Sequence, residues 1–102
     1  MTITFEGASD DVVIVDRGAG DVEEYDAYNG ATFQLRTDRE RMQIGLTLET
    51  LSGCWHPSVG QVDETAPLPA WPVRFEQSTD RDYSVRLVVD APNDAELVEI
   101  DA

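Results

Sequence analysis

Apolar and polar residues alternate with a period of two along most of this chain, the pattern of strands buried on one face. Residues 2–6 set Ile3 and Phe5 on one side, and residues 31–37 do the same with Phe33 and Leu35. Met42, Ile44, Leu46 and Leu48 alternate with Gln43, Gly45, Thr47 and Glu49, the cleanest half-buried strand of all. Val73 and Phe75 alternate with Arg74 and Glu76, residues 83–90 set Val85, Leu87 and Val89 on one face, and Val98 and Ile100 define a short terminal strand over 97–101. The β-branched run Val12-Val13-Ile14-Val15 reads as a buried strand.

Turn chemistry punctuates these runs: Gly7-Ala8-Ser9-Asp10, Gly18-Ala19-Gly20-Asp21, Asn29-Gly30, Thr37-Asp38-Arg39, Ser52-Gly53, Ser78-Thr79-Asp80 and Ala91-Pro92-Asn93-Asp94. Residues 22–28 carry two signals. Asp21 with Glu24 has the spacing of a helical capping box, whereas the Gly-rich turn before it favours a hairpin back from Val12–Val15, the reading adopted here. The segment Ala66-Pro67-Leu68-Pro69-Ala70-Trp71-Pro72 denies its backbone both helix and ladder bonding, so it is expected to be an extended crossing between two halves of the sheet system. Together these signals predict an all-β fold, a compact antiparallel β-sandwich or small barrel of about seven strands with at most one short helix. Residues 1–102 are expected to form a single domain.

Composition changes the picture chiefly through charge. The chain holds 21 Asp and Glu against seven Arg and no Lys, a formal net charge of −14. Arg without Lys, with abundant Ala, Val, Asp and Gly, is what GC-rich coding produces, and an acid excess is also expected of salt-adapted proteins. The carboxylates are unevenly placed. Residues 1–30 hold eight acids and one Arg, residues 31–60 hold three of each, and residues 61–102 hold ten acids and three Arg. A field of this sign repels nucleic acid and anionic membranes and favours basic proteins or cations. The apolar share of 41% is that of a folded chain. There is neither a basic leader followed by an apolar run nor a membrane-length apolar stretch, and Cys54 stands alone. A reducing, cytoplasmic location without internal disulfides is therefore expected.

Chemistry-bearing residues are sparse. Cys54 and His56 would share a face of an extended strand, but residues two apart lie about 6–7 Å from each other, too far for direct proton transfer. A buried thiol is the simpler reading, so no catalytic residue is expected. The clusters Asp10-Asp11, Asp21-Glu23-Glu24-Asp26, Asp63-Glu64 and Asp80-Asp82 lack the spacing of a calcium loop, although the second, beside its Gly-rich turn, is the best cation candidate among them. No metal and no cofactor is expected. Arg36, Arg39 and Arg41 crowd one turn, and with Trp55 and His56 they form the neutral centre of the chain, an alternative site for a small molecule or nucleotide.

At Glu6-Gly7-Ala8-Ser9-Asp10-Asp11-Val12-Val13-Ile14-Val15, followed by Gly20-Asp21-Val22-Glu23-Glu24-Tyr25-Asp26-Ala27-Tyr28, the chain resembles short uncharacterised proteins of phage and prophage genomes. These open with a Gly-x-Ser-Asp-Asp strand and continue into an acidic-aromatic hairpin. The resemblance covers roughly the first 30 residues and implies a phage-type origin, placing the protein in a host cytoplasm, without assigning an activity or a functional residue.

The expected function is that of a non-enzymatic acidic interaction protein that inhibits a basic nucleic-acid-binding or defence protein by polyanion mimicry. Carboxylates at i and i+2 of a strand lie about 6.6 Å apart, close to every second phosphate of a duplex strand at about 3.4 Å per step. Asp80 with Asp82, and Glu99 with Asp101, have that spacing, and Trp71 on the Pro-rich segment is the expected apolar anchor. Direct binding of nucleic acid is not expected. A structural or assembly role, with edge strands making homo-oligomer contacts, is the remaining alternative.

Overall fold

In the computed structural model, which describes residues 1–9, 12–26, 28–49, 54–77 and 85–100, the chain forms nine strands and no helix among those residues. They are β1 (Thr2–Ser9), β2 (Val12–Asp16), β3 (Val22–Asp26), β4 (Thr32–Arg36), β5 (Arg41–Glu49), β6 (Cys54–Gly60), β7 (Val73–Gln77), β8 (Val85–Asp90) and β9 (Glu96–Ile100). All pair antiparallel, in a five-stranded sheet of order β3-β2-β1-β8-β7 and a four-stranded sheet of order β6-β5-β4-β9. The two alternatives left open by the sequence thus resolve to a sandwich: each sheet keeps two free ends, so no barrel closes.

The topology has a simple logic. Each sheet starts as a three-strand meander, β1-β2-β3 and then β4-β5-β6, and the C-terminal strands complete both. The β7-β8 pair joins β1, and β9 joins β4. The Pro-rich segment runs from β6 in one sheet to β7 in the other, the crossing its prolines predicted.

Alternation decides which residues meet in the middle. Ile3, Phe5, Val13, Val15, Leu87 and Val89 of the larger sheet face Phe33, Leu35, Met42, Ile44 and Leu46 of the smaller one, all buried in one apolar cluster. Burying a side chain of this size is worth about 1.5–3 kcal/mol, so this layer dominates the stability. Phe33 is its hub, with ring centroids 5.8 Å from Phe5 and 5.2 Å, edge-on, from Tyr25.

Two strands exceed the expected seven, for different reasons. Residues 22–26 are strand β3, settling the helix-or-hairpin choice for the hairpin. Gly18, Ala19 and Gly20 all take positive φ in the turn, Arg17 N–H donates to the Asp21 carbonyl at 2.9 Å, and Asp16 Oδ1 accepts from Gly18 N–H at 2.8 Å. That geometry returns the chain on itself before any helical turn can start. Strand β6 was not foreseen, because Pro57 and the run Cys54-Trp55-His56 hide the alternation. Pro57 is tolerated since β6 lies at a sheet edge. The turn expected at residues 7–10 also shifts: β1 continues to Ser9 through an irregularity in its pairing with β2 between Gly7 and Ser9.

Candidate functional site: the acidic sheet edge

The acidic N-terminal third and part of the acidic C-terminal third meet in one sheet, while β9, with Glu96 and Glu99, lies in the other. Strands β1–β3 come from the first third and β7 and β8 from the last. Register places Glu6, Asp16, Glu24, Asp26, Glu76 and Asp90 on the outer face of that sheet, opposite the buried layer, with Arg74, Arg86 and the Met1 ammonium, 3.7 Å from Asp90, as the cations beside them among the described residues.

The charge on this face is graded. Toward β7 each guanidinium is matched: Arg86 lies 4.0 Å from Glu6 and Arg74 donates to Glu76 at 3.1 Å. Toward β3 no cation among the described residues shares the face with Asp16, Glu24 and Asp26. Glu24 and Asp26 sit at i and i+2 on the same face, about 6.6 Å apart along the strand, and Asp16 is opposite Val22 on the neighbouring strand. The sequence reading passed over this trio, although Glu24-x-Asp26 shows the same spacing it sought elsewhere.

The cation that the described residues place in this region, Arg17, is engaged on the other face. Its two terminal nitrogens donate to the two carboxylate oxygens of Glu23 at 3.1 Å each, and it also reaches Tyr25 Oη at 3.2 Å and Asp21 at 3.4 Å. Tyr25 Oη in turn donates to Glu23. That hydrogen bond, reinforced by Arg17, holds the Glu23 carboxyl below its ordinary range, and burial followed by the hydrogen bond to Glu23 pushes the Tyr25 phenol up. The hydrogen bond that Arg17 donates to Glu23 likewise pushes the guanidinium pKa up. Tyr25 inserts from here against Phe33, so an otherwise acidic edge strand is pinned to the core by one ring.

The best cation candidate of the sequence, residues 21–26, does not converge. An extended backbone turns Glu23 to the inner face and Glu24 and Asp26 to the outer one, so these carboxylates diverge. Among the described residues no group of three or more His, Cys, Asp and Glu side chains is arranged to hold a metal ion.

Of the expected partner-binding residues, Asp80, Asp82 and Asp101 lie outside the described residues. Glu99 is exposed on β9, in the other sheet, opposite Phe33 in register. Trp71 is half-buried against the core rather than displayed, and the exposed apolar groups of this part of the chain are instead Leu68 and Phe75.

The alternative constellation is split by the strand register. Arg36 and Arg41 stand directly opposite each other on β4 and β5, with Arg36 Nε donating to Gln34 at 2.8 Å and Glu96 opposite it on β9. His56 is opposite Thr47, six residues and about 20 Å along β5 from Arg41. The side chain of Trp55 lies outside the described part of the structure. Arg39 and Arg41 do border a cleft of about 590 Å³ against residues 65–70, but Glu40 and Asp63 line it too and cancel their charge. Thr65 clamps Asp63 through its hydroxyl at 2.6 Å and its N–H at 2.8 Å, which keeps that carboxyl low and ionised.

No protein-family model matches this chain, and neither a curated protein nor a solved structure matches it.

Proposed function

We propose that this protein is a non-enzymatic acidic interaction module that binds and inhibits a basic protein, of the nucleic-acid-binding or defence kind, by presenting a strand edge as a polyanion. The reading rests on one observation: among the described residues, the outer face of the β2–β3 ribbon carries Asp16, Glu24 and Asp26 with no cation beside them, Glu24 and Asp26 at a phosphate-like interval on the edge strand and Asp16 on the strand next to it. Because the trio sits on a paired hairpin, its carboxylates are held at fixed spacing before a partner arrives, which lowers the ordering cost of association. The acidic remainder of the surface steers a basic partner toward it. A phage-type origin and a host cytoplasmic setting fit this role.

The test is capture of basic proteins from a nuclease-treated bacterial lysate on the immobilised chain, followed by competition of the captured protein against duplex DNA. Binding should fall steeply between about 50 and 300 mM salt, and the chain should displace DNA. The triple variant Asp16→Asn, Glu24→Gln, Asp26→Asn should lose about tenfold or more in affinity. A complex indifferent to salt or to that triple neutralisation would refute the reading. Stabilisation of the fold by a nucleotide, abolished by Arg39→Ala with Arg41→Ala, would move the function to the cleft.

A further inference from the structure

The opposite end of the five-stranded sheet is built differently. Strand β7, Val73-Arg74-Phe75-Glu76-Gln77, is the last strand of its sheet, and β8 is its only strand neighbour among the described residues. It carries one cation and one anion, and Phe75, on the inner-face row with Leu87, is 54% exposed because the four-stranded sheet does not reach over it.

We infer that β7 is a self-association edge, pairing antiparallel with β7 of a second copy about a two-fold axis at Phe75, so that two five-stranded sheets become one of ten strands. Three observations converge on this occupant. The first is backbone polarity. Asp90 N–H donates to the Pro72 carbonyl at 2.9 Å. Alternation along an antiparallel ladder then turns Arg74 and Glu76 toward β8, and turns the N–H and C=O of Val73 and Phe75 outward. A two-fold axis at Phe75 lets the two Phe75 residues exchange both bonds.

The second is charge. In that register Arg74 falls opposite Glu76 of the second copy, and Glu76 opposite its Arg74, on the same face where they pair within one chain at 3.1 Å. Opposite charges directly across a ladder favour pairing and like charges oppose it. The third is exclusion. The other free edges are unsuited to copying themselves: β3 carries Glu23, Glu24 and Asp26 with no Arg, β9 carries Glu96 and Glu99 with no Arg, and β6 is interrupted by Pro57. Acid against acid and a missing donor are both devices that blunt sheet edges.

A five-residue edge buries less than the roughly 1,000 Å² of a durable interface, so the dimer forms in the range of about 10–100 µM. Two copies each bearing −14 also repel one another. Added salt therefore strengthens this dimer, the reverse of its effect on a basic partner, and either proposal can fail without the other.

Sedimentation equilibrium of the full chain from about 5 to 500 µM in about 300 mM NaCl should show a monomer–dimer equilibrium that weakens at lower salt. Arg74→Glu sets like charges opposite each other twice and should weaken the dimer about tenfold. The double variant R74E/E76R should restore it, and mixing R74E with E76R should give a heterodimer. Because Arg74 and Glu76 are surface groups, unchanged melting temperatures should show that all three variants fold. Amide exchange at Val73 and Phe75 should slow as concentration rises. A chain monomeric at every concentration, a dimer unmoved by R74E, or exchange at these two amides independent of concentration would each overturn the inference.

Discussion

The two ends of the five-stranded sheet solve the same problem in opposite ways. Every open sheet ends in strands whose outer backbone groups could recruit another strand. At β3 the chain sets Glu23, Glu24 and Asp26 along the edge and ties the one cation that the described residues place nearby, Arg17, to the inner face through Glu23. At β7 charge is balanced, a phenylalanine is displayed, and nothing described covers the edge. The contrast teaches that net charge is a poor description of this molecule. The −14 is not spread evenly: one edge is made repulsive to other strands and attractive to cations, while the other is left close to neutral. Under the two proposals, one sheet carries a surface for a basic partner at β3 and a self-pairing edge at β7, at its opposite ends.

The comparison can be broken most severely through the core. Phe33 is fully buried and touches both Phe5 and Tyr25, so Phe33→Ala should cost about 3–5 kcal/mol in chemical denaturation and release the ring that pins β3. Phe75→Ala, at the other edge, should change monomer stability by no more than about 0.5 kcal/mol, since the ring is mostly in water. Equal costs would mean that Phe75 is packed in solution.

A smaller effect is expected at the β2–β3 turn. Gly18 takes φ of +84°, where a Cβ is strained even though open space surrounds it. Gly18→Ala should cost about 1–2 kcal/mol and loosen the acidic edge, seen as faster amide exchange in β3 with β7 and β8 unaffected.

The smallest effect sharpens the role of Glu23. Its carboxyl is held below the ordinary range by Tyr25 and then by Arg17, so its contribution is complete above the unfolded-state value near 4.3 and is lost as pH falls through the lower folded value. Wild type should therefore melt higher than Glu23→Gln at pH 6, and the gap should close on acidification toward pH 3. A gap constant across that range would show that the clasp between Arg17, Glu23 and Tyr25 does not persist in solution.

Much of the fold was legible because alternation is a local property. Ile3 and Phe5, Phe33 and Leu35, the Met42-to-Leu46 series, and Leu87 and Val89 all announce their buried face within a few residues, and all line the core. Strand β6 was not legible: Pro57 and its flanking Cys, Trp and His interrupt the pattern, and only pairing with β5 makes the segment a strand. The candidate sites fared less well. Proximity in sequence suggested one site from Arg36, Arg39, Arg41, Trp55 and His56, but the register of β5 carries His56 away from the arginines.

Read alone, the chain determined the all-β class, most of the buried residues, the hairpin at the Gly18-Ala19-Gly20 turn and the acidity of the surface. Each of these follows from side-chain chemistry and backbone preferences acting over a few residues. Only the tertiary structure decided that β3, β7, β6 and β9 are edges, that strands of the first and last thirds share one sheet, and that Asp16, Glu24 and Asp26 share a face with no cation among the described residues. Strand order depends on contacts between residues far apart in the chain, such as β1 with β8 and β4 with β9, and no local pattern encodes which strand is left without a neighbour.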